Sequence, residues 1–155
     1  MHAWGSWNAS WLWSMSLIGV TIAMHLIGIG LIVVAVEWYR ARLLKSSRPY
    51  LGSTPATIAV LVAVALGLAA LHGIESLTWA FAYVKLGAFA SPADAALYSV
   101  DSMTTRGATG LTAAEHWRMM GAVESGDGML LFGISTAFFF YVMLRLWKAD
   151  AELHI

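Results

Sequence analysis

The sequence predicts an all-α integral membrane protein, with three transmembrane helices and one short helix that enters the membrane without crossing it. Composition is the first ground. Of 155 residues, 59% are apolar and only 12% charged, too oily for a small soluble domain. The second ground is that the apolar residues concentrate in three long stretches. Residues 14–36 hold His25 as their only acid, base or histidine, residues 56–84 hold only His72 and Glu75, and residues 128–144 hold none. A span needs about 20 apolar residues, so the first two are long enough. The third reaches that length if Glu124 and Asp127 sit at its outer mouth and Arg145 at its inner one. No stretch alternates with period two, which argues against an outer-membrane barrel.

Taken in chain order, residues 1–13 form a Trp-rich N-terminus. Trp4, Trp7 and Trp11 share a helical face, with Trp13 close by, as in an amphipathic lead-in lying at the outer interface. The first span covers residues 14–39. It has no basic segment before it and no small-residue cleavage site after it, which favours an uncleaved anchor over a signal peptide. Residues 40–55 form a loop punctuated by Pro49 and Pro55, with Ser53 or Thr54 capping the second helix. Arg40, Arg42, Lys45 and Arg48 follow the first span, and Arg145 and Lys148 follow the third. The positive-inside rule therefore places this loop and the short tail 148–155 in the cytoplasm, and the N-terminus outside.

After the second span, Ser91-Pro92-Ala93-Asp94 reads as a helix start: Ser91 as N-cap, Pro92 in the first turn, Asp94 as the capping-box acid. A helix over 92–104 is about 18 Å long, too short for a hydrocarbon core of about 30 Å. It runs into Thr104-Thr105-Arg106-Gly107-Ala108-Thr109-Gly110-Leu111 and then the third span. A short helix ended by a Thr/Gly strip between two full spans is the pattern of a re-entrant segment. Irregular backbone at membrane depth persists only inside protein or beside a water-filled cavity.

The run Ser99 to Leu111 resembles the S-V-x-T-x-T-T-V-G-Y-G-D-L pore helix and selectivity filter of the potassium-channel superfamily. His72-x-x-Glu75-x-x-x-Trp79-Ala80, Ala96-Leu97-Tyr98-Ser99, Trp117-Arg118 and Gly133-x-Ser135-Thr136-Ala137 are similar to a proteobacterial group of small ion-channel proteins that carry an extra N-terminal span. The resemblance implies a pore domain over 56–147, with a pore helix at 92–104, a filter at 104–111, and assembly as a homotetramer in a bacterial inner (plasma) membrane. One copy of the strip cannot enclose a path and no internal repeat supplies the others. The implied permeant ions are monovalent cations, potassium or sodium, and no other cofactor is implied.

In such filters backbone carbonyls replace the ion's hydration shell, and the short helices aim their negative ends at the cavity. Thr104, Thr105 and Gly107 keep the inner part of the pattern. Arg106, Ala108 and Thr109 stand where Val, Tyr and the second Gly are expected, and the glycine comes one residue late at Gly110. Thr109 resists the positive φ that the second glycine adopts, so selectivity should be weakened. Arg106 pointing inward would place four cations on the path, each repelling a permeant cation by about 4 kcal/mol at roughly 4 Å and an effective dielectric of about 20. Pointing outward, it either meets Asp101, five residues back, in an ion pair that supports the filter, or snorkels to water.

Among the remaining polar groups, His72 and Glu75 share a helical face, and His25 lies in the preceding span. They form either a polar network between helices or, as Glu-x-x-His pairs on helices do, a metal site. Gly133 is a gating hinge or a close-packing position. Phe138, Phe139, Phe140 and Tyr141 either narrow a pore or face lipid. Net charge is zero, which gives no sign of a nucleic-acid partner; the expected partners are the lipid bilayer and further copies of the chain. No nucleophile–base pair is present, so the chain is not expected to be an enzyme. The function expected is a cation channel, with a non-conducting structural or regulatory subunit, or an anion pore, as alternatives.

Overall fold

A computed structural model describes residues 3–45, 54–107 and 110–152. The chain runs α1 (Ala3–Lys45), α2 (Thr54–Lys85), α3 (Pro92–Met103), a single 3-10 turn (Glu115–Trp117) and α4 (Arg118–Glu152), with no strand among the described residues. Three helices are long and apolar enough to cross a membrane, over Asn8–Tyr39, Pro55–Lys85 and Glu115–Leu146. Only 17% of the most apolar stretch of each is buried within the chain. Such a surface suits a membrane location, where lipid covers what water would not.

The N-terminal tryptophans do not form a separate element: α1 begins at Ala3 and continues unbroken through the first span. Trp11 and Trp13 are about half exposed. Ser53 lies outside the described residues, and α2 starts at Thr54 with Pro55 in its first turn.

By internal packing the chain divides into two compact units. The first comprises residues 1–25 and 72–132. Its apolar core is built on Leu17, Trp79, Tyr83, Ala95, Tyr98, Met103, Trp117, Met120 and Leu131. Within it, Trp117 of the 3-10 turn and, on α4, Met120 and Gly121, Glu124, Asp127 and Gly128, then Leu131 face inward, the period of a helix packing along its length. Two glycines on that face are dictated by contact. A Cβ at Gly121 would overlap the Tyr98 hydroxyl, and one at Gly128 would overlap the backbone carbonyl of Met103, the last residue of α3. The short helix therefore lies directly on α4.

The second unit comprises residues 26–71 and 133–155. Val64, Leu68 and Val142 form its core, with Phe138 and Phe139 packed against them, while Phe140 and Tyr141 are more than half exposed. The unit boundary in α4 falls between Phe132 and Gly133. Among the described residues a Cβ at Gly133 or Gly126 would meet nothing within 4 Å, so their packing does not demand glycine at either position.

Candidate ion-path strip and buried polar network

The end of α2 and the end of α3 close in the same way and differ in one residue. At α2, Gly87 takes φ +70°, its N–H reaches Val84 O (3.1 Å), and the next N–H, Ala88, reaches Tyr83 O (2.9 Å). This is the Schellman helix end, with glycine in the left-handed position. At α3 the left-handed residue is Thr105, φ +57°. Its N–H binds Ser102 O (2.9 Å) and the Arg106 N–H binds Asp101 O (3.0 Å). A β-branched side chain at positive φ is a strained choice, of the kind that clusters at functional sites. Gly107 (φ +79°) and Gly110 (φ +83°) follow, so the left-handed position that Thr109 could not readily occupy falls on Gly110. Ala108 and Thr109 themselves lie outside the described residues.

The Gly107 N–H also turns back to Asp101 O, at 3.3 Å. Three successive N–H groups, those of Thr105, Arg106 and Gly107, thus point at the end of α3. Each belongs to a trans peptide, in which N–H and C=O point in opposite directions. The carbonyls of Thr104, Thr105 and Arg106 are consequently turned away from the helix end. The Thr104 hydroxyl donates back to Val100 O (2.7 Å), which leaves Thr105 as the better placed of the two to offer a hydroxyl beside the carbonyls.

Arg106 does not extend toward that carbonyl side. Its Nη2 lies 2.6 Å from Asp101 Oδ1. The Asp101 side chain is 2% exposed and that of Arg106 is 59% exposed, so the carboxylate is buried while the guanidinium keeps contact with its surroundings. Asp101 accordingly holds the strip twice, by its backbone carbonyl and by its side chain. The Asp101 pairing expected from sequence is present in the folded chain.

Glu124 and Asp127, the acids at the start of the third span's apolar stretch, are both buried in the first unit, at 0% and 2% exposure. Glu124 Oε2 accepts from the Tyr83 hydroxyl (2.6 Å), and its other oxygen lies against the Ser99 hydroxyl. Ser99 in turn contacts the Ser76 carbonyl (2.7 Å) and hydroxyl (3.0 Å). Asp127 Oδ2 accepts from Thr21 (2.6 Å) and Trp79 Nε1 (3.1 Å). The physical reason is partner supply: carboxylates survive burial when hydroxyl and indole donors meet them, and α1, α2 and α3 bring those donors.

Ser91 caps α3 and Pro92 stands in its first turn, as the sequence predicts. The Ser91 hydroxyl accepts from the Asp94 N–H at 3.3 Å. On the other polar group, His25 Nδ1 lies 2.8 Å from Glu75 Oε1, and His72 Nδ1 lies 3.2 Å from Glu75 Oε2. The structure brings all three together. Thr21, Tyr83 and Ser99, which meet the Asp127 and Glu124 carboxylates, carry no site role in the sequence reading. The signal that could have found Thr21 is Ser10, Ser14, Thr21 and His25, a polar stripe on one face of an otherwise apolar helix, all four buried.

No family model, curated protein or solved structure matches the chain. Function has to be read from the site's own geometry.

The Glu124 bonds tie α2 and α3 to α4, and they give a test. Glu124→Leu leaves the Tyr83 hydroxyl buried without its acceptor and should lower stability by about 1–3 kcal/mol, with Glu124→Gln clearly milder. Thermal melting in detergent measures this; equal melting of both variants would deny the carboxylate that role.

Proposed function

We propose that the chain forms a homotetrameric channel for monovalent cations, potassium or sodium, less selective than a Gly-Tyr-Gly filter, in a bacterial plasma membrane with its N-terminus outside. One observation carries the proposal. Three successive peptide N–H groups are anchored on the end of α3, which turns the carbonyls of Thr104, Thr105 and Arg106 to the opposite side. Carbonyls presented side by side are what replaces a cation's hydration shell. The guanidinium held on Asp101 keeps its charge on the helix side of the strip, which is compatible with a cation on the other.

In this assembly α3 is the pore helix, the strip 104–111 the filter, and four copies enclose the path that one cannot. Gly133, whose missing side chain no neighbour among the described residues requires, is the gating hinge in α4. The outer half of the filter, lacking the aromatic brace at Ala108 and the glycine at Thr109, holds fewer ion sites.

Flux into proteoliposomes tests the proposal. Purified tetramers should take up rubidium or potassium and, less well discriminated than by a Gly-Tyr-Gly filter, sodium. Well-folded tetramers that pass none of these would make the chain a non-conducting membrane subunit. Chloride flux without cation flux would make it an anion pore instead.

A further inference from the structure

We propose that His25, His72 and Glu75 form a metal site that binds one divalent cation of zinc-like chemistry and fastens α1 to α2. The site is separate from the strip and does not depend on whether the chain conducts.

The geometry comes first. One donor atom from each residue lies within 4.8 Å of the other two, and all three residues are buried. His72 and Glu75 stand three apart on α2 and so share a face; His25 reaches them from α1. Zinc takes imidazole nitrogen at about 2.0–2.1 Å and carboxylate oxygen at about 2.0–2.2 Å, so donor atoms on a tetrahedral ion sit about 3.3 Å apart. His25 Nδ1 lies 2.8 Å from Glu75 Oε1 and His72 Nδ1 3.2 Å from Glu75 Oε2, so the two imidazoles flank one carboxylate through its two oxygens, near that scale. Small side-chain movements complete the set. Two imidazoles and one carboxylate are a familiar three-residue donor set for zinc, with a fourth position left for water.

The surroundings fit a cation. Phe132 stacks on His72, ring centres 4.1 Å apart and planes 19° apart, which fixes the imidazole and walls one side with apolar surface. Glu75 Oε2 receives no hydrogen bond among the described residues, close as His72 is.

Charge balance adds an independent argument. Thr21 lies one turn before His25 on α1, and Trp79 one turn after Glu75 on α2. Both donate to Asp127. The Asp127 carboxylate is thus held by residues one helical turn from His25 on α1 and from Glu75 on α2. A divalent ion held by His25, His72 and Glu75 offsets the buried Glu75 charge and the nearby buried Asp127, where uncompensated carboxylates are costly.

The test uses the untagged full chain in detergent, incubated with Zn2+ and passed through a desalting column. Elemental analysis should find about one zinc per chain. Co2+ in its place should give visible absorption of tetrahedral intensity, and bound Zn2+ should raise the melting temperature. Glu75→Gln and His25→Gln should each lose the metal and the thermal shift, while His116→Gln, a change at an exposed histidine, should keep both. Folded wild-type chain that retains no zinc overturns the site. So does retention by Glu75→Gln equal to wild type, or loss of the metal in His116→Gln.

Discussion

Arg106→Met should destabilise the protein by about 3 kcal/mol, whereas Asp101→Asn should cost only about 1 kcal/mol. The asymmetry follows from burial. The Asp101 carboxylate is 2% exposed and the Arg106 guanidinium 59%. Removing the arginine strands a charge in the interior, and Asp101 Oδ2 has no hydrogen bond to fall back on among the described residues. Removing the carboxylate instead frees a guanidinium that can reach its surroundings, and the backbone bonds to Asp101 O survive. Thermal melting of both variants gives the comparison; equal losses would mean that burial does not decide the pair. Conduction should follow the opposite order. Asp101→Asn releases four guanidinium groups beside the proposed path, and a repulsion of about 3 kcal/mol, less than the approximately 4 kcal/mol of one close charge, lowers cation flux at least about 100-fold. Asp101→Asn combined with Arg106→Met should recover most of that flux, since the released charge is gone. Unchanged flux in Asp101→Asn would remove the guanidinium from the ion path altogether.

How far the sequence reaches can be judged on particular residues. The spans were legible because apolar runs of that length have few other uses, and α3 was legible because Ser91, Pro92 and Asp94 mark a helix start by local chemistry alone. The Asp101–Arg106 pair was also within reach: five residues separate the partners, and the helix end folds one back on the other. What could not be read was the inside of the first unit. A carboxylate near the end of an apolar run, as Glu124 and Asp127 are, shows nothing locally of the partners that bury it. Their true surroundings depend on Tyr83, Ser99, Thr21 and Trp79, which lie 25 to 106 positions away. No local pattern encodes that convergence. On apolar helices, small polar residues at helical spacing, such as Ser10, Ser14 and Thr21, mark the face that packs against other helices. The left-handed Thr105 was equally hidden, since a β-branched residue is not expected in the position where glycine closes α2.

Gly128→Ala should be among the most damaging single-carbon additions in this chain, costing about 3 kcal/mol or more. The Cβ would overlap the carbonyl of Met103, and that carbonyl belongs to the backbone at the end of α3, one residue before the strip. A flexible side chain can swing away from an added methyl, but a helix end held by Asp101 and by the Ser99–Glu124 contact cannot do so without moving the strip itself. Gly121→Ala meets the Tyr98 hydroxyl, the far end of a side chain, and should cost less, about 1–2 kcal/mol. Gly126→Ala has open space around it in the chain and should be neutral or gain up to about 1 kcal/mol from helix propensity. Melting temperatures of the three variants order these effects without any assumption about transport. If Gly128→Ala melts with Gly126→Ala, α3 does not rest on α4 through Met103. If it melts early and the protein that remains folded loses cation flux beyond its loss of stability, the contact sets the position of the strip and not merely its permanence.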